Sequence, residues 1–169
     1  MASQTRSWTR TVTFDRPADT TAYADGDGVS DDATTPTAAT FKINGVGTHV
    51  GMGGVITDVF LHKSDQDQTN ADFSVYFFDT AVAVVGFNDN AAIAITDAEF
   101  KTGVQFVALT AAADAENVVT GDAYGKSNLD IHYQCASNDT ALYVVIVARA
   151  AYTPASGETF TLRVKGRVN

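Results

Sequence analysis

Asp25, Asp27 and Asp31 lie in Tyr23-Ala24-Asp25-Gly26-Asp27-Gly28-Val29-Ser30-Asp31-Asp32, where alternating carboxylates and turn glycines are the ingredients of a calcium loop. Aligning Asp25, Asp27 and Gly28 with the third, fifth and sixth loop positions puts Tyr23 first and Thr34 twelfth, where acids belong. The segment is therefore expected to be a solvated acidic loop, with Asp25, Asp27 and Asp31 the one calcium candidate and no cofactor required. Asn88-Asp89-Asn90 has donors for a cation or a sugar, but these are also the residue types of tight turns, and a turn is expected. His49, His62 and His132 have no metal-ligand spacing with one another or with Cys135. Nucleophilic catalysis has no support either. No serine sits in a Gly-x-Ser-x-Gly elbow, and Cys135 lies on the apolar parity of a strand, where it reads as a small buried hydrophobe. Nothing marks out two carboxylates as a glycosidase pair, so an enzyme is not expected.

Charge has a clearer pattern. The net charge is −9, against general affinity for nucleic acid, which needs a basic footprint. Residues 1–16 and 163–169 hold six of the eleven Lys and Arg against one acid, Asp15, so the two ends carry +5 and the remainder −14. Arg6, Arg10, Arg163, Lys165 and Arg167 are the candidate partner-binding residues. If the terminal strands lie together, these cations face an acidic protein surface; otherwise they are a solvated outer face that guards a sheet edge.

The elements that carry these residues are strands. From Trp8 to Asp15, Trp8, Arg10, Val12 and Phe14 alternate with Thr9, Thr11 and Thr13, the period of a half-buried strand. Over residues 158–168, Phe160, Leu162, Val164 and Val168 alternate with Thr161, Arg163, Lys165 and Arg167, and a slip of one residue would bury cations and expose apolar groups. Further strands are expected over residues 41–46, 55–63, 71–78, 82–87, 105–109, 129–135 and 141–152. The strands over 55–63 and 71–78 should form a hairpin with a loose loop. Residues 18–39 and 111–128 read as polar excursions, the first holding at most a short strand near Tyr23. Thr96-Asp97-Ala98-Glu99 is a capping box that predicts a short helix ending at Gly103. The expected fold is all-β, an antiparallel β-sandwich, jelly-roll-like, with one short helix, in a single domain over residues 1–169.

With 169 residues and 45% hydrophobic content the chain can bury a core of its own. Cys135 is the only cysteine, so the scaffold stands without an intrachain disulfide, which suits a reducing compartment. The polar start lacks the apolar run of about 7 to 15 residues that a secretory signal needs. The longest apolar stretch, residues 141–148, is shorter than the roughly 20 residues of a membrane helix and is closed by Arg149, so no membrane partner is expected.

Several segments, in order along most of the chain, resemble small tailed-phage virion structural proteins. They are Val12-Thr13-Phe14-Asp15-Arg16-Pro17-Ala18-Asp19-Thr20-Thr21-Ala22-Tyr23-Ala24, Gly53-Gly54-Val55-Ile56-Thr57-Asp58-Val59, Phe77-Phe78-Asp79, Asn88-Asp89-Asn90-Ala91-Ala92, Tyr143-Val144-Val145 and Ala151-Tyr152-Thr153-Pro154. The resemblance implies a capsid decoration or cement protein, made in the host cytoplasm and added to the phage head. Its implied partner is the major capsid protein, and its implied state is a homotrimer. The alternative of another class is a receptor- or carbohydrate-binding module of a tail fibre or spike.

Overall fold

The computed structural model describes residues 6–34, 41–66, 71–80, 87–93, 95–97, 101 and 103–168. Among them the elements run β1 (Arg6–Asp15), β2 (Gly28–Val29), β3 (Lys42–Ile43), β4 (Gly53–Lys63), β5 (Phe73–Phe78), β6 (Gly103–Leu109), α1 (Ala111–Asp114), β7 (Ala115–Val118), β8 (Gly121–Lys126), β9 (Ile131–Gln134), β10 (Leu142–Ala148) and β11 (Thr159–Val168). One sheet has the order β1-β11-β4-β8-β7 with β9 also on β4, and the other has β2-β10-β5-β6 with β3 also on β10. All pairings are antiparallel. The expected all-β sandwich is what the chain forms.

The two terminal strands pair along their whole length, from Arg6 opposite Val168 to Asp15 opposite Thr159. Trp8, Val12 and Phe14 of β1 and Phe160, Leu162, Val164 and Val168 of β11 are buried, while Thr9, Thr11, Arg163 and Arg167 are exposed, as the alternation requires. Both sheets feed one core. Phe73 of β5 meets Phe160 of β11 edge to face with ring centroids 5.9 Å apart, and Phe14 stacks on Phe160 at 5.5 Å. Burying each such side chain contributes about 1.5–3 kcal/mol, which is what holds the layers face to face.

Three expectations change. β4 and β5 form no hairpin: β4 lies between β11 and the pair β8 and β9, while β5 lies in the other sheet between β10 and β6. The excursion over residues 111–128 is mostly ordered into α1, β7 and β8. Asp97 and Lys101 are helical, within the short helix expected from the capping box, and α1 is a further turn, closed by Asp114 Oδ2, which accepts the Thr110 backbone N–H at 2.8 Å. The capping box at residues 96–99 lies partly, and the strand at 82–87 mostly, outside the described residues. Residues 41–46 supply only the two-residue β3, and Tyr23 makes a single bridge to Tyr152.

Candidate functional site

β11 places Arg163, Lys165 and Arg167 in one row on the outer face of the six-stranded sheet, because residues two apart on a strand share a face. Their partners across β1 are Thr11, Thr9 and Ser7, and across β4 are Phe60, Asp58 and Val55. Phe60 organises the row: the Arg163 guanidinium lies 4.7 Å and the Lys165 ammonium 5.4 Å from its ring centroid. Both cations are thereby held over an aromatic face while their polar heads stay in water. The hydroxyl of Thr57 donates to Asp58 Oδ2 at 2.7 Å, and this bond, with Lys165 nearby, holds the Asp58 carboxyl below its usual range. Beyond Phe60 the face sinks into a recess of about 340 Å³ over Ala123, Gly125 and Glu116.

Arg10 does not join this row. It has the inward parity of Trp8 and Val12, and its guanidinium reaches past the sheet to donate to Asn44 O at 2.7 Å and Gly45 O at 2.8 Å. It therefore ties β1 to the turn after β3. Arg6 is exposed at the strand end opposite Val168, on the parity of Arg10. Arg16, counted among the terminal cations, is buried and belongs to an internal cluster.

Asp25, Asp27 and Asp31 are not brought into one group of ligands. Asp25 faces Arg149 at 3.6 Å, and Asp27 Oδ2 accepts the Ala24 N–H at 2.6 Å. Among the described residues no three His, Cys, Asp or Glu side chains converge as metal ligands. His49 and His132 are exposed and His62 half-buried, while Cys135 is buried and burial pushes its thiol up to about 11.

Asn88-Asp89-Asn90 forms the expected turn, with Asn90 at φ 53°, but Asp89 turns inward and not to solvent. Its carboxylate meets Arg16 Nη2 at 3.1 Å, and it accepts bonds from the Tyr23 hydroxyl at 2.6 Å and the Ser30 N–H at 3.0 Å. Arg16 Nε also donates to the Tyr23 hydroxyl at 3.1 Å, and Nη1 donates to Asp19 O at 2.6 Å. Tyr23 stacks on Tyr152 at 5.2 Å, which leads to a second buried cluster.

That cluster is Lys63, Asp122 and Glu158. Lys63 Nζ lies 3.3 Å from Asp122 Oδ2 and 3.3 Å from Glu158 Oε1, and all three side chains are 0% exposed. Lys63 Nζ also donates to Asp65 O at 2.9 Å, and the Asp65 N–H donates to Glu158 Oε1 at 3.2 Å. Tyr152 covers Lys63 with its ring 5.8 Å away. Burial raises the Glu158 carboxyl above its usual range, against the pull of Lys63, and drives the Tyr152 hydroxyl well up. Sequence reading passed over this trio. Its one local signal is parity: Lys63 continues the inward set of Val59 and Leu61, and Glu158 that of Phe160, Leu162 and Val164.

The fold and its basic outer row define an all-β, two-sheet sandwich with a cation-bearing face. The chain is similar to a solved cyanophage Pam1 capsid asymmetric unit, at 14% identity over 100% of this chain and 93% of that chain, with a TM-score of 0.37. It is also similar to the structure of Desmodium yellow mottle tymovirus, at 10% identity over 99% and 89% of the two chains, with a TM-score of 0.31. At these values the likeness transfers no residue roles. No family model and no curated protein matches the chain.

Proposed function

We propose that this protein is a structural component of a tailed-phage particle, a head decoration protein that binds the outer capsid surface, acts on no substrate and stabilises the shell. The observation that carries the reading is the row Arg163, Lys165 and Arg167, set on an outer sheet face beside Ser7, Thr9 and Thr11, in a chain whose central part is strongly acidic. A face of that kind docks on an acidic surface of the major capsid protein. The ordered sequence resemblance to phage virion proteins supports the same assignment, including the homotrimer and the head location. Binding to the assembled shell and not to the free subunit stabilises the shell by mass action.

The test is cosedimentation with undecorated heads of the parent phage. The wild-type chain pellets with heads, and a variant with Arg163, Lys165 and Arg167 all changed to Glu stays in the supernatant while its circular dichroism is unchanged. Equal pelleting of the triple variant sinks the basic-face reading. Pelleting with purified tails but not with heads would instead support the receptor-binding alternative.

A further inference from the structure

The Lys63, Asp122 and Glu158 cluster has three properties that an ordinary buried ion pair lacks. The first is an imbalance of charge: one amine stands between two carboxyl groups, all wholly buried, so full ionisation would leave an unneutralised charge in the core. The second is a division of labour between the acids. Glu158 Oε1 accepts hydrogen bonds from Lys63 Nζ and from the Asp65 N–H, whereas neither oxygen of Asp122 accepts a hydrogen bond, although Oδ2 lies 3.3 Å from Nζ. The third is enforced proximity. Lys63 and Asp122 are directly opposite in the β4 and β8 register, and a Cβ at Gly121 would overlap the Lys63 carbonyl oxygen, so the two backbones meet closely at this point.

An amine and a carboxyl group held together in a wholly buried site, with a second carboxylate on the amine, are the reactants and the proton carrier of amide formation. We propose that Lys63 and Asp122 condense spontaneously to an intramolecular isopeptide bond, with Glu158 as the catalytic residue that moves the proton. A proton passes from the Lys63 ammonium to the Asp122 carboxylate, which neutralises both groups in a site that disfavours charge. The Nζ lone pair attacks Cγ of Asp122, forming the C–N bond and moving the carbonyl electron pair onto oxygen. Glu158 takes a proton from the nitrogen and delivers it to the Asp122 hydroxyl. The C–O bond breaks, the carbonyl re-forms and water leaves. Glu158 ends as it began, nothing is oxidised or reduced, and one water is lost for each bond formed.

The fold supplies the driving force. Intramolecular placement of this kind reaches effective concentrations on the order of 10⁵–10⁸ M, and conversion of two buried ions into a neutral amide removes their desolvation penalty. Tyr152 lies over Lys63 and Phe160 stands opposite it in the β4 and β11 register, both buried, so the trio is shielded from bulk solvent. The bond would tie β4 to β8, joining covalently two strands of the sheet whose outer face carries the basic row.

The experiment is intact mass spectrometry of the purified wild-type chain after denaturation, followed by peptide mapping. The expected mass is one water below that of the sequence, with a branched peptide joining Lys63 to Asp122. Lys63→Met, Asp122→Ala and Glu158→Gln are each expected at full mass, the last keeping the size of the native side chain. A wild-type chain at full mass after prolonged incubation in the folded state overturns the proposal. So does a water loss that maps to Asp25 or Asp27 as a cyclic imide, since both precede glycine. A Glu158→Gln chain that still loses the water removes Glu158 from the step.

Discussion

The guanidinium of Arg16 and the carboxylate of Asp89 meet at 3.1 Å with side chains 0% and 1% exposed, and the pair fastens the segment leaving β1 to a turn 73 residues further along the chain. Removing one member leaves the other buried and uncompensated, which costs about 3–5 kcal/mol. Arg16→Met is therefore expected to lower the urea midpoint sharply. The double variant Arg16→Met with Asp89→Leu should recover much of that loss, because no charge is then stranded. A double variant no more stable than Arg16→Met would refute this account.

Gly166 lies under the indole of Trp8, its register partner across β1 and β11. A Cβ there would overlap the indole ring and come within 2.6 Å of Val55 O. Gly166→Ala is expected to destabilise by about 1–3 kcal/mol through overpacking. Trp8 also donates from Nε1 to the Tyr133 hydroxyl at 3.0 Å, so its fluorescence should shift in the same variant.

Docking through Arg163, Lys165 and Arg167 should be sensitive to salt. Exposed charge pairs contribute about 0.2–1 kcal/mol each, so three of them are worth roughly 0.6–3 kcal/mol, or about threefold to a hundredfold in affinity. Screening shortens from about 10 Å at 0.1 M to about 3 Å at 1 M salt. Head occupancy measured across that range should fall, and a flat salt profile would argue for an apolar docking face.

Lys42 Nζ lies 2.8 Å from Asp139 Oδ2, and its hydrogen bond holds the Asp139 carboxyl below the usual aspartate value of 3.8. The unfolded chain takes up this proton first on acidification, so the contribution is complete above that value and is lost as pH falls through the lower native one. Glu158, raised by burial, runs the other way: its contribution is present below about 4.5 and is lost as pH rises through the native value. Lys42→Met should therefore reduce the loss of stability on the acid side, as read from urea midpoints across the acid range.

The Cys135 thiol is buried and pushed up to about 11, so thiolate is scarce at neutral pH. Native protein should resist alkylation at pH 7 and become fully labelled once unfolded. Rapid labelling of the folded chain would contradict the burial.

Much of the fold is legible in side-chain alternation. The strand cores at β1 and β11 follow from it, because a sheet with one wet face forces a period of two, whereas β5 and β10 read as apolar runs and are buried on both faces. β8 was not legible: Gly121-Asp122-Ala123-Tyr124-Gly125-Lys126 has little apolar content, and it becomes a strand because β4 offers it an edge and Phe60 covers Gly125. The hairpin expected between β4 and β5 failed for a related reason. Adjacency along the chain favours pairing, but each strand had better partners in a different layer.

Composition and periodicity alone established an all-β chain, the inward set Trp8, Val12 and Phe14, and the outward set Arg163, Lys165 and Arg167. Tertiary structure alone put Arg10 on a loop rather than in the basic row, gave Asp89 the cation Arg16, and set Lys63 between Asp122 and Glu158. The reason is range. Alternation acts between neighbours in the chain and survives in any register, whereas a buried charge finds its partner only after distant strands have been packed and water has been driven out.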